Sequence, residues 1–166
     1  MEASEWQVQW TELSYAMQIA LDFLSLHKEV AFATSEGNRP KIRLFQIMGQ
    51  ESTTLYFATS PQKAVYKQLQ ENPYVEILAM DGQVSVRCTG KVSFELEEEK
   101  KQWIYENNPV LPRLYSTYDS LAYFTLLLEE IDYYDLRPTP PLFKHFNLIE
   151  HTEGEGFVGE RFSKKG

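Results

Sequence analysis

Residues 55–63 read Leu55-Tyr56-Phe57-Ala58-Thr59-Ser60-Pro61-Gln62-Lys63. The apolar and aromatic run Leu55–Ala58 suits a pleated, half-buried strand, and two hydroxyl residues follow it. Ser60 can cap free helix amides and Pro61 carries the fixed φ of a first helical residue, so a helix is predicted to begin at Ser60-Pro61. It is predicted to run to about Glu71 and to stop near Asn72-Pro73, because proline disfavours helical backbone in the residue before it. A strand that hands over to a helix in this way gathers free amides, hydroxyl donors and the Lys63 ammonium in one corner, with Lys67 one turn further on. Chemically, such a corner is a phosphate site. The same pieces also make an ordinary Ser-Pro helix start with solvated lysines.

Upstream of this corner, Lys41–Met48 alternates, with Ile42, Leu44 and Met48 on one face and Arg43, Phe45 and Ile47 on the other. If this strand lies beside the one ending at Thr59, the Arg43 guanidinium reaches the same anion in bidentate fashion. An outward-facing arginine on a barrel strand is the plainer alternative. Val30–Thr34 is a β-prone run followed by the polar turn Ser35-Glu36-Gly37-Asn38. Thr11–His27 has the period of an amphipathic helix, with Leu13, Met17, Leu21 and Leu24 on one side.

Downstream, Tyr74–Met80 and Gln83–Phe94 are strands joined at Asp81-Gly82, a tight-hairpin signal. Gly90 marks a bulge or bend in the second of them. Glu97–Asn107 is a predicted helix ended by Asn108-Pro109, and Tyr123–Leu136 contains a last long strand. The expected fold is therefore mainly β, about six strands with short helices, packed as a closed or nearly closed antiparallel barrel that removes exposed edges. Arg137-Pro138-Thr139-Pro140-Pro141 changes the composition. Residues 1–136 are read as the barrel domain with its N-terminal helix, and 137–166 as a C-terminal extension of it.

The chain has 166 residues, 43% hydrophobic and 14% aromatic, with a net charge of −8. Those values suit one globular domain. No apolar run approaches the ~20 residues that cross a bilayer, so no membrane partner is expected. The N-terminus lacks a basic stretch followed by an apolar one, and the single cysteine, Cys88, has no partner for an internal disulfide, so a cytoplasmic location is expected. An acidic surface repels phosphate backbones, which argues against nucleic acid and against an oligonucleotide-binding small barrel. His27, His145 and His151 lack metal-ligand spacing, and no metal is expected. Gly154-Glu155-Gly156-Phe157-Val158-Gly159 spells a dinucleotide fingerprint without room for the helix that must follow it. Cys88 is read as a small core residue, Glu97-Glu98-Glu99 as a solvated helix start and His27 as a partner of the helix dipole.

The order Ala33-Thr34, Gly37-Asn38-Arg39-Pro40, Arg43, Leu55-Tyr56-Phe57-Ala58-Thr59-Ser60, Lys63, Leu69, Asn72-Pro73, Val75 and Val86-Arg87-Cys88-Thr89-Gly90 resembles the pyridoxamine 5′-phosphate oxidase-like superfamily of FMN-binding split barrels. The resemblance spans about Glu29 to Leu136. It implies a six-stranded Greek-key split β-barrel, a homodimer, and two FMN molecules at the dimer interface. By the same resemblance, Arg43, Leu44, Phe45 and Gln46 match the strand whose backbone and arginine meet the flavin ring and phosphate. Thr59, Ser60 and Lys63 match the phosphate-binding strand end and helix start, with Lys67 sharing that role. Ser85 and Arg87 fall where a later strand approaches the flavin. Trp103, Tyr105 and Tyr115 are either ordinary packing or a pocket wall offered to the partner subunit.

Two departures narrow the implied function. The true oxidases carry a flavin-contacting glutamine where this chain has Ser85. They also end in a segment rich in Trp and Arg with an Arg-Leu-x-Pro pattern, whereas this tail reads Phe143-Lys144-His145-Phe146 and Gly156-Phe157-Val158-Gly159-Glu160-Arg161-Phe162. Pyridoxamine phosphate is thus not the expected substrate. The resemblance implies an FMN-dependent oxidoreductase acting on another small molecule, in which the cofactor carries the hydride or electron chemistry. A non-catalytic FMN- or haem-binding storage or sensor protein is the alternative.

Overall fold

The computed structural model describes residues 16–155. Helix α1, described over residues 16–26, buries Met17, Ala20, Leu21 and Leu24, the apolar stripe that its period predicts. Leu13 lies outside the described residues. The chain then turns into β1 (Glu29–Glu36) and β2 (Arg39–Gln46), an antiparallel hairpin closed by Gly37-Asn38. Gly37 sits at φ 59°, left-handed backbone that a residue without Cβ adopts at little cost. A short β3 (Gly49–Glu51) and β4 (Thr54–Thr59) follow, then α2 (Ala64–Glu71). The second hairpin pairs β5 (Tyr74–Asp81) with β6 (Val84–Ser93), and its turn residue Gly82 has φ 58°. Helices α3 (Glu98–Asn107) and α4 (Val110–Leu114) lead to β7 (Ala122–Asp135), β8 (Leu142–Asn147) and β9 (Thr152–Glu155).

All strand pairs are antiparallel, in the order β2-β1-β5-β6-β7-β4-β3, with β8 and β9 added beside β7. The long β7 carries β6 along one edge. Its other edge carries β4 over Ala122–Leu127 and β8 over Glu130–Asp135. The two ends of this path, β2 and β3, are neighbours in the chain. Ile47 N donates to Lys28 O at 2.7 Å and Met48 N to Tyr56 O at 2.8 Å, so the Ile47-Met48 corner passes from one edge of the sheet towards the other. Curling brings Phe32, Phe57 and Phe124 together at centroid distances of 5.3 to 6.1 Å. A second apolar cluster on α3 and α4 packs Ile104 and Leu111 against Tyr56, Ala58 and Tyr123.

The six expected strands are β1, β2, β4, β5, β6 and β7. Among the described residues the sheet has nine, and its hydrogen-bond ladder is open rather than closed. β3 escapes a pattern reading because Gly49-Gln50-Glu51 shows no alternation, and β8 and β9 because β8 is ordered by pairing with β7 and β9 by pairing with β8. The register slips between Thr89 and Gly90, the predicted bulge, and a Cβ at Gly90 would lie 2.4 Å from Leu127 O. Among the described residues no helix is long and apolar enough to cross a membrane.

Candidate functional site

Ile42 and Leu44 point outward, 71% and 73% exposed, so Arg43 between them points into the curl of the sheet. Phe45 points the same way and packs edge-on to Phe32 at 4.9 Å, which makes its side chain part of the core. Arg43 lies beyond this aromatic layer and is tied to two other elements. Its Nη1 donates to Thr34 Oγ1 at 2.7 Å and to Phe32 O at 3.1 Å, and its Nη2 donates to Gln68 Oε1 at 2.8 Å. The Thr34 hydroxyl donates to the same Gln68 oxygen at 2.7 Å, and Gln68 Nε2 donates to Glu36 Oε2 at 2.8 Å. Partial burial pulls the guanidinium pKa down from its ordinary value, and arginine nevertheless keeps its charge. One cation is thus held where β1, β2 and α2 meet.

β4 ends at the short segment that leads into α2. Thr59, its last residue, is 3% exposed, and its Oγ1 has no hydrogen-bond partner. Among the described residues only Gln50 Oε1 and His145 Nε2 share that condition. A buried polar atom left unpaired costs about 1–3 kcal/mol, so its persistence calls for a reason.

The helix does not begin at Ser60-Pro61. Residues 60–63 form a turn in which Lys63 N donates to Ser60 O at 3.0 Å, and the Ser60 hydroxyl bonds the Gln62 side chain. Pro61 therefore sets the φ of a turn position rather than of a first helical residue. α2 starts at Ala64 with Lys63 as its N-cap, and no side chain caps it. The positive end of the helix dipole lies at this terminus, where Tyr66 N donates to Lys63 O at 3.1 Å.

Other expected placements change as well. β2 pairs with β1, not with β4, so Arg43 reaches α2 across β1, by way of Thr34. Lys63 is exposed at the N-cap. Lys67 does not join the corner: its side chain is 79% exposed and its Nζ lies 3.8 Å from Glu71 Oε1. Leu44 and Gln46 are exposed on the outer face of β2.

Ser85 and Arg87 lie on β6, on the outer face and with β1 and β5 between them and β2. Within the chain they do not meet Arg43. Arg87 Nε and Nη2 each donate to Asp132 Oδ2 at 3.3 Å, and Glu76 Oε1 lies 3.4 Å from Nε. Asp132 Oδ1 is 2.6 Å from His145 Nδ1, and both side chains are buried. A carboxylate only accepts, so Nδ1 carries a proton towards it. Pattern reading gave no role to Gln68 or Asp132, took Thr34 only as part of the family's residue order and His145 only as a histidine without metal-ligand spacing. The available hint was Gln68 itself, a lone polar residue on the buried face that α2 otherwise makes from Val65 and Leu69.

The remaining residues make contacts within the chain. Trp103 covers Gly49, where a Cβ would lie 3.0 Å from its ring, and Tyr105 OH donates to Tyr115 O at 2.6 Å. His27 Nε2 lies 3.6 Å from Asp81 Oδ2, with its ring against Phe23. Cys88 is fully buried, and burial pushes its thiol pKa far up. No group of side chains among the described residues is arranged to hold a metal ion.

The sequence pattern of the family described as pyridoxamine 5′-phosphate oxidase matches residues 18–126. Among solved structures, a nimC/nimA family protein of Clostridium acetobutylicum is 27% identical, with a TM-score of 0.65 over 84% of this chain and 96% of that one. A protein of the same organism related to general stress protein 26 superposes with a TM-score of 0.69 at 12% identity, over 84% of this chain and 99% of that one. A pyridoxamine 5′-phosphate oxidase-related, FMN-binding protein of Nostoc punctiforme gives a TM-score of 0.59 at 17% identity, over 85% and 93%. The last two likenesses are of fold alone. No curated protein sequence matches the chain. The family pattern takes in well over half of the sequence, from α1 into β7, and covers the whole Arg43–α2 corner; the chain belongs to the pyridoxamine 5′-phosphate oxidase family.

Proposed function

We propose that this protein binds FMN and is an FMN-dependent oxidoreductase acting on a small molecule, as a homodimer with the flavin at the interface. One observation carries the reading: an arginine is fixed against α2, and the strand that leads into that helix ends in a buried hydroxyl with nothing to bond. A phosphate dianion is the group whose chemistry suits this corner. Thr59 Oγ1 donates to one of its oxygens, the uncapped first-turn amides of α2 face it, and Arg43 and Lys63 supply positive charge. The FMN bound by the Nostoc punctiforme relative supports the choice of flavin. When bound, FMN supplies hydride or one-electron chemistry, and the protein's task is to hold it and keep competing reactions out.

The outer face supports a second copy of the chain as partner. Ile42 and Leu44 on β2 are 71% and 73% exposed there, and Leu78 and Met80 on β5 are 43% and 69% exposed, the two strands flanking β1 in one sheet. Exposed apolar side chains on both sides of β1 favour burial against another protomer. Ser85 and Arg87 share this face, so a symmetric partner brings them towards a flavin held by the opposite protomer's β2 and α2.

The test is the absorption spectrum of the purified protein after exposure to FMN and gel filtration. Flavin bands are expected in the wild type and their loss in the Arg43→Ala, Lys63→Ala double variant, because charge-assisted bonds contribute about 1.5–3 kcal/mol each. Full flavin occupancy in the double variant would show the phosphate to lie elsewhere. Oxidation of NAD(P)H by the loaded protein separates an enzyme from a binder.

A further inference from the structure

Glutamine is unusual on the buried stripe of a short helix, and Gln68 is 4% exposed. Its amide orientation is dictated by its neighbours. The Glu36 carboxylate only accepts, so the Gln68 NH₂ must face it, which leaves Oε1 towards Arg43 and Thr34. The Thr34 hydroxyl, giving its hydrogen to Oε1, receives one from Arg43 Nη1. Each group in this chain thereby fixes the next, from Glu36 through Gln68 to the guanidinium.

A guanidinium has five N–H donors. Arg43 uses both on Nη1, for Thr34 and Phe32 O, and one on Nη2, for Gln68. The donors left over are the Nε hydrogen and the second on Nη2, which lie side by side on one edge of the planar group. That edge is the fork that receives two oxygens of an anion in parallel. Pinning the opposite edge to the protein reduces the rotamer freedom lost when an anion is captured.

We propose that Gln68 is a positioning residue for Arg43, holding its open fork for a phosphate monoester and so making the site select FMN over riboflavin. The inference rests on the phosphate reading given above and extends it to a residue that need not touch the ligand. A merely structural Gln68 would affect both flavins alike, since both carry the same ring. A positioning Gln68 acts through the phosphate alone.

The experiment measures dissociation constants of FMN and of riboflavin for flavin-free protein by quenching of flavin fluorescence. Gln68→Met keeps the volume and removes both hydrogen-bonding ends. It is expected to weaken FMN by about tenfold or more, the loss of one bond to a charged group, and to leave riboflavin within about twofold. Glu36→Gln, an exposed change that only frees the orientation of the Gln68 amide, keeps the case testable where Gln68→Met fails to fold. It is expected to weaken FMN alone, by a few-fold. Equal losses for the two flavins, or none for FMN, in either variant would overturn the inference while leaving the phosphate site in place. A wild-type protein that binds FMN no better than riboflavin would instead remove the phosphate reading, and the role of Gln68 with it.

Discussion

At Thr59 the requirements of folding and binding oppose each other. The residue lies at the buried end of β4 with an unpaired hydroxyl, and a valine of the same shape would relieve that penalty. Thr59→Val is therefore expected to leave the flavin-free protein equally stable or to stabilise it by up to about 1 kcal/mol in a urea melt. The same variant is expected to bind FMN about tenfold more weakly. A destabilised variant with unchanged FMN affinity would assign the hydroxyl to the fold instead. Asp132 illustrates the opposite case. Both its oxygens are engaged, by Arg87 and by His145, so it is a fully used buried carboxylate rather than one waiting for a partner.

At the scale of elements, β6 and β7 depend on one backbone position. A methyl group at Gly90 would meet Leu127 O at 2.4 Å and Leu126 Cδ1 at 2.8 Å, in the middle of the longest pairing of the sheet. Gly90→Ala is expected to lower the free energy of unfolding by about 2 kcal/mol or more, read from chemical denaturation, because a carbonyl in a ladder cannot move aside as a side chain does. This bulge was legible as a glycine inside an alternating strand, and the Asp81-Gly82 hairpin as a turn dipeptide between two apolar runs. The start of α2 was not legible to the residue. Ser60-Pro61 suits a helix start and a turn equally well, and the choice is made by the bond from Lys63 N to Ser60 O. Arg43, Thr59 and Lys63 stood out because cations and hydroxyls at a strand–helix junction share one chemistry. Gln68 and Thr34 did not, since their roles arise only when β1 is folded against α2.

For the whole molecule, the outward row Ile42, Leu44, Leu78 and Met80 predicts the assembly. Sedimentation at micromolar concentration is expected to show a dimer, and a Leu44→Glu, Met80→Glu variant is expected to sediment as a folded monomer with weakened FMN binding. A monomeric wild type would leave the Ser85–Arg87 row without a flavin to face. Architecture was legible at this scale through the hairpin signals and six of the strands. The β8–β9 addition was not, because β8 takes its order from β7 and β9 from β8. The most direct measurement is a crystal structure of the protein grown with FMN. The phosphate is predicted at the head of α2, within hydrogen-bond reach of Thr59 Oγ1 and of the open edge of Arg43. A phosphate bound anywhere else, with Thr59 Oγ1 still unpaired, would contradict the account.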